Sequence, residues 1–158
     1  MSAHADNPIE QLTHDHEHLS DLVQALGGVL ARLEARQCVF ADVVDEIEDG
    51  VESLREALLL HFAREEEGVF PFVEKHVPAL APVVAVLLAD HDAVIKGAAG
   101  LGLHLKTPEG PATFAAGYAS FVAIYAAHAK AEHAFLHDVE TKLDAALREE
   151  LRVLLKEI

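Results

Sequence analysis

An all-α fold, an antiparallel up-and-down four-helix bundle with a short fifth C-terminal helix, is what this 158-residue chain predicts. Three observations carry the prediction. Four long segments repeat apolar residues in alternating three- and four-residue steps, the period of a helix with one buried stripe. Nothing alternates with the two-residue period of a strand. The connections near 36–40, 76–78 and "TPEGP" at 107–111 are short, as neighbouring antiparallel helices require.

The first seam is Ile9, Leu12, His16, Leu19, Val23, Leu26, Leu30 and Leu33. Its start is marked by Asn7 as a cap, Pro8 at the first helical position and Glu10 for a capping box. The second seam is Phe40, Val44, Ile47, Val51, Leu54, Leu58, His61 and Glu65. The third is Leu80, Val84, Leu87, His91, Val94, Ala98, Leu101 and Leu105, and the fourth is Phe114, Tyr118, Phe121, Tyr125, His128, Glu132, Phe135 and Val139. An amphipathic tail follows, with Leu143, Leu147, Leu151, Leu154 and Ile158 on one face. The whole chain, 1–158, reads as a single domain, with the bundle over 8–140 and the tail helix over 141–158.

Composition narrows the partners. The formal net charge is −15, from 27 acidic and 12 basic side chains with no basic cluster, which argues against a nucleic acid or a membrane as partner. The single cysteine, Cys38, allows no intrachain disulfide. The opening "MSAHADNPIEQL" has no basic start followed by an apolar stretch, and the apolar run at 77–89 is broken by prolines and short for a bilayer. The expectation is a cytoplasmic monomer or homodimer.

Each seam is apolar except at one level, where a histidine interrupts it. His4, His14, His18, His76, His104, His133 and His137 lie off the seams and read mostly as solvated residues. The midpoints between successive seam histidines fall at 38–39, 76 and 109–110, each inside a turn. Equal numbers of residues up one helix and down the next return the chain to the same height, so His16, His61, His91 and His128 share one layer. Glu65 and Glu132 each lie four residues past a histidine, one turn away on the same face. No Lys or Arg occupies a seam to neutralise them. Burying such groups without partners is costly, and metal is the economical partner. Six ligands suit two ions bridged by the two carboxylates, with two histidines on each and open positions for a small molecule. The donor set fits iron, and also manganese or zinc.

The order His16, His61-x-x-x-Glu65, His91, His128-x-x-x-Glu132 resembles the hemerythrin-like, or HHE cation-binding, domain family. So do "DHEHL", "HFAREEEGVFP", "DHDAV" and "HAKAEHAFL" around those residues. The resemblance covers about 8–140. It implies a four-helix bundle with a non-haem centre of two iron ions on those six residues, manganese or zinc being less favoured. Oxygen-carrying members have a second histidine where this chain has Ile95, and a more widely spaced aspartate where it has Glu132. Reversible oxygen carriage is therefore not the expectation.

The expected function is binding or processing of a small ligand (dioxygen, peroxide or nitric oxide) in oxidative or nitrosative stress. The alternatives are a di-iron oxidase of an organic substrate and an iron store or donor, and turnover is left open. Tyr125, on the seam one turn from His128, is the candidate catalytic residue or a core tyrosine. Asp15 and Asp90 are candidates to orient the imidazoles, whereas Glu66 and Glu67 read as solvent-facing. Gly27, Gly50, Gly102 and Gly117 lie eleven residues from the ligand layer, either for close helix approach or to leave a channel. "GAAGLG" is not a nucleotide loop, since no strand precedes it.

Overall fold

The computed structural model describes residues 7–158; His4 and the first six residues of the N-terminal run lie outside the described residues. Helix α1 is Pro8–Glu34, and the Asn7 side chain accepts the Ile9 N–H at 3.0 Å, as its capping role predicts. Arg36 closes the helix in the left-handed region at φ 57°, a place glycine usually takes. Helix α2 is Phe40–Arg64, α3 Phe70–His76, α4 Ala81–His104, α5 Gly110–Lys142 and α6 Ala145–Lys156. No strand occurs among the described residues. The tail helix begins later than its seam suggests: α5 runs on to Lys142, and the Asp144 side chain then caps α6 by accepting the Leu147 N–H at 2.8 Å.

Helices α2 and α3 are one rod with a wide π-turn, Glu65–Val69, between them. Pro71 supplies the reason. A proline inside a helix has no N–H to donate and its ring crowds the carbonyl four residues back, here that of Glu67, so the backbone widens ahead of it. Gly68 lets the wide turn sit under α6, because a Cβ there would meet Leu155 Cδ2 at 2.7 Å and Ile158 Cδ1 at 3.0 Å.

The four long helices pack in a ring of neighbours: α1 on α2, α2 on α4, α4 on α5, and α5 on α1. Helix α6 covers α1 and the π-turn, and buries Leu151. The buried apolar residues fall into two clusters. One holds Leu19, Leu54, Leu58, Val94 and Phe121; the other holds Leu12, Phe70, Leu87, Phe135 and Leu151. On every helix His16, His61–Glu65, His91 and His128–Glu132 lie between the two, so the core is divided by one polar layer. Near the first turn the seam slips by one residue: Val29 and Val43 are buried, and Leu30 and Val44 only half-buried.

The prolines expected to interrupt the apolar run at 77–89 do not. Pro78 opens a 3₁₀ turn and Pro82 lies in the first turn of α4, where a missing N–H costs nothing. Pro78–His104 is consequently the one segment among the described residues long and apolar enough, by length and composition, to cross a membrane, contrary to the sequence reading. It also delivers His91 to the core.

Three members of the glycine layer are close-approach sites. A Cβ on Gly27 would meet the Tyr118 hydroxyl at 2.6 Å, one on Gly50 Leu26 Cδ2 at 2.8 Å, and one on Gly117 the His104 ring at 2.8 Å. The gap at Gly27 lets Tyr118 donate to the Val23 carbonyl at 2.9 Å. Gly102 differs, bordering an open groove of about 410 Å³ between α2 and α4.

Candidate metal centre

All six seam residues converge. His61, Glu65, His91, His128 and Glu132 are buried, and His16 retains 18% side-chain exposure. Ligand-type atoms of His16, His61, Glu65 and Glu132 lie within 4.8 Å of one another, as do those of His91, His128 and Glu132. His16 Nε2 is 3.0 Å from His61 Nε2, and Glu132 Oε1 is 2.8 Å from the first and 2.9 Å from the second. At most one proton can lie between two such nitrogens. An ion with bonds of about 2.1 Å holds adjacent octahedral ligand atoms about 3 Å apart, which is the spacing of this triangle.

The two carboxylates reach both imidazole pairs. Glu132 turns Oε1 to His16 and His61 and Oε2 to His128 Nε2 at 2.8 Å. Glu65 sets Oε1 2.6 Å from His61 Nε2 and Oε2 3.8 Å from His91 Nε2. Several of these approaches lack hydrogen-bond alignment. Both Glu65 oxygens, Glu132 Oε2, His91 Nε2 and His128 Nε2 are buried without a hydrogen bond. Buried polar atoms are nearly always paired, so this concentration of orphans in one layer marks a donor set that fits a cation.

The far ring nitrogens of His61 and His91 have partners that orient the rings. His61 Nδ1 lies 3.3 Å from Asp15 Oδ2, and Arg64 donates to the same oxygen at 2.6 Å. His91 Nδ1 lies 2.9 Å from Glu66 Oε1. His128 Nδ1 is 3.6 Å from Asp90 Oδ2, too far for a direct hydrogen bond. Asp15 thus serves the next helix's histidine and not its own neighbour, whereas Asp90 approaches the next helix's His128 without bonding it. Glu66 is exposed, as read, yet its long side chain crosses from the π-turn to His91 on α4. Position relative to the seam could not show this; Pro71 inside a helical run was the available signal of irregular backbone here. Glu67 is exposed, as read.

The charges follow from these contacts. Burial opposes charging of His61, but the carboxylates of Asp15, Glu132 and Glu65 outweigh it and raise its pKa to about 11. Burial, reinforced by the charge of Glu132, pushes Glu65 well above the carboxylate range. Burial also works against ionised Glu132, yet His128, His16 and His61 hold its pKa well below the ordinary value. Burial lowers His91 against the pull of Glu66. Tyr125 is buried, stacks on Phe121 with ring centres 6.0 Å apart, and is pushed up to about 12 by burial and the nearby charge of Glu132. Its hydroxyl therefore keeps its proton at neutral pH.

Phe62 covers the second pair, stacked on His91 at 3.7 Å. Beside it a groove of about 370 Å³, lined by Leu59, Glu66, Leu88, His91 and Ile95, opens to solvent. A hollow of about 100 Å³ adjoins His61, Asp15 and Arg64. A hollow of about 810 Å³ near the first turn lies well away from the layer. Among the off-seam histidines His14, His18, His133 and His137 are exposed, as expected. His76 and His104 are half-buried against Phe72 and Gly117.

The family description "Hemerythrin HHE cation binding domain" matches residues 7–138, nearly the whole span of the four long helices. The chain belongs to that family. No curated protein matches it, and no solved structure does.

Proposed function

We propose that this hemerythrin-family chain holds two iron ions on His16, His61, Glu65, His91, His128 and Glu132, and binds or processes dioxygen, peroxide or nitric oxide there. The observation that carries the reading is that both carboxylates reach both imidazole pairs, the arrangement of two bridging ligands. The common height of the four histidines supports an antiparallel, up-and-down order of the four helices. A role in oxidative or nitrosative stress in the cytoplasm follows as part of the same proposal.

Iron at these ligands supplies redox chemistry toward a small ligand. The protein's own residues do the rest. Asp15 and Glu66 fix the His61 and His91 rings through their Nδ1 atoms. Phe62 and Phe70 flank His91, with ring centres at 3.7 and 5.4 Å, and limit water around it. Tyr125 keeps its proton up to about pH 12 and is the proposed donor to a bound small molecule. The groove at Leu59, Leu88 and Ile95 favours a second reading, oxidation of an apolar organic substrate beside His91.

Metal analysis with an optical spectrum, before and after adding oxygen, peroxide and nitric oxide, tests the proposal. Two metals per chain, predominantly iron, with spectra that respond to one of these ligands, are expected. One metal per chain, or a haem Soret band, refutes it. Spectral insensitivity to all three ligands, with response to an apolar substrate, selects the second reading.

A further inference from the structure

Helix α6 stands outside the ring of four, yet it packs on the element that carries two of the centre's carboxylates. Its main contacts are with α1 and the π-turn Glu65–Val69. Glu65, the first residue of that turn, reaches His91 Nε2 at 3.8 Å, and Glu66, the second, lies 2.9 Å from His91 Nδ1. Phe70 closes the turn by donating its N–H to the Glu65 carbonyl, and its ring stacks on His91 with centres 5.4 Å apart. One turn of backbone thus meets the imidazole at both nitrogens and on one face. Neither Glu65 oxygen has an aligned hydrogen bond, so the backbone beneath the side chain sets its direction.

A π-turn is an extra residue inside an α-helix, and moving it by one residue rotates the side chains it passes by about 100°. Two features oppose such a shift. Pro71 fixes the far end, where its ring crowds the Glu67 carbonyl. Gly68 fixes the crest. It is buried, it is the one glycine between Gly50 and Gly97, and a Cβ on it would meet Leu155 Cδ2 at 2.7 Å and Ile158 Cδ1 at 3.0 Å. With the turn one residue out of place, Glu67 or Val69 would bring a Cβ under Leu155. The seat exists in one register only.

We propose that α6 positions the metal centre: Leu155, seated on Gly68, holds the π-turn in the register that aims Glu65 and Glu66 at His91. This deepens the metal-centre reading and rests on Glu65 being a ligand. Leu155 and Gly68 are positioning residues, since neither offers an atom to the ion. Coupling of this kind is reciprocal. If the seating of α6 strengthens ion binding, ion binding must hold α6 down by the same factor. The hold on α6 is light: Leu151 is its buried residue, and Leu147, Leu154 and Leu155 are partly buried. Its local opening is therefore easily shifted, and α6 reads the occupancy of the layer.

Metal release to a chelator and amide hydrogen exchange, on the full chain loaded with ferrous iron or metal-free, are the test. Leu155→Ala should speed release at least about tenfold, the loss expected when an orienting partner is removed. Leu155→Met, which nearly conserves volume, should keep the wild-type rate. Leu147→Ala removes a leucine from the same face of α6 away from Gly68, and Val153→Ala alters an exposed position; neither should change release. Gly68→Ala should speed release in the wild type and less so in the Leu155→Ala background, where its methyl has room. The α6 amides should be better protected with iron than without. In the metal-free chain the Phe70 N–H should exchange faster in Leu155→Ala than in Leu147→Ala. A wild type that takes up no iron overturns the metal-centre reading and this one with it. If the wild type takes up iron, any of three results overturns the positioning role alone: equal release from Leu155→Ala and Leu147→Ala, α6 protection that ignores iron, or a Phe70 N–H indifferent to Leu155.

Discussion

The two imidazole pairs of the polar layer look alike in sequence and differ in their surroundings. Each combines an Asp-His on one helix with a His-x-x-x-Glu on the next. Behind the His16–His61 pair, Asp15 is 16% exposed and is held by Arg64. Behind His91–His128, Glu66 and Asp90 are 45% and 40% exposed, neither bonded to a cation, and the larger groove lies alongside. A carboxylate fixed by a half-buried guanidinium holds its imidazole in one orientation, whereas a solvated one does so loosely. The motif repeat thus yields one rigid half and one open half. The rigid half should retain its ion more tightly, and the open half should exchange ions and admit ligands.

The largest effect should come from erasing the distinction altogether. Glu132 has oxygens within 2.9 Å of both pairs, so Glu132→Gln should abolish binding at both positions and remove the melting-temperature gain that metal gives. A variant that still carries two ions would show the pairs to be independent. Glu65→Gln should leave about one ion per chain, bound at the rigid half. The metal-free protein should hardly notice, because burial and the charge of Glu132 already push Glu65 toward its neutral form. Equal destabilisation with and without metal would mean that Glu65 is held by a protein partner.

These distinctions were only partly legible in the sequence. The helices, their turns and the common height of the histidines follow from periodicity, because a seam must stay in register with its neighbours to remain buried. Asp15 and Asp90 stand beside the histidines in the chain, but which ring each approaches depends on the lateral packing of helices, which spacing along one helix does not encode. Glu66 was missed for the same reason. The π-turn had a local cause, Pro71, but a proline fixes where a helix must deform and not which way it deforms. The roles of Gly27, Gly50 and Gly117 became definite only once Tyr118, Leu26 and His104 were seen to fill the space beside them.

Asp15→Asn should act on the rigid half alone. Loss of the group that orients a metal-bound histidine costs about 10- to 100-fold in affinity, so the tighter ion should weaken by that factor. The metal-free protein adds a pH signature. With the His61 pKa raised from 6.5 to about 11, the stability it contributes is complete below about pH 6.5 and is lost as pH rises through about 11. Chelated wild type should therefore lose stability across that window, and Asp15→Asn should show a shallower slope. Identical pH profiles from thermal unfolding would remove Asp15 from the account.

The smallest effect should come from Glu66→Gln. Its contact to His91 Nδ1 is short, at 2.9 Å, but the side chain is nearly half-exposed, so water and salt screen its charge. The amide can still accept a hydrogen bond from His91, so ring orientation survives and only the charge is removed. Affinity at the open half should fall by less than the about tenfold lower bound for a buried orienting partner. Metal release to a chelator should show two phases, one per half. Glu66→Gln should speed the fast phase and leave the slow phase as in wild type, whereas Asp15→Asn should do the reverse. If both substitutions speed both phases alike, the carboxylate bridges average the two halves into one site. The solvation of the groups behind the imidazoles would then not decide which ion leaves first.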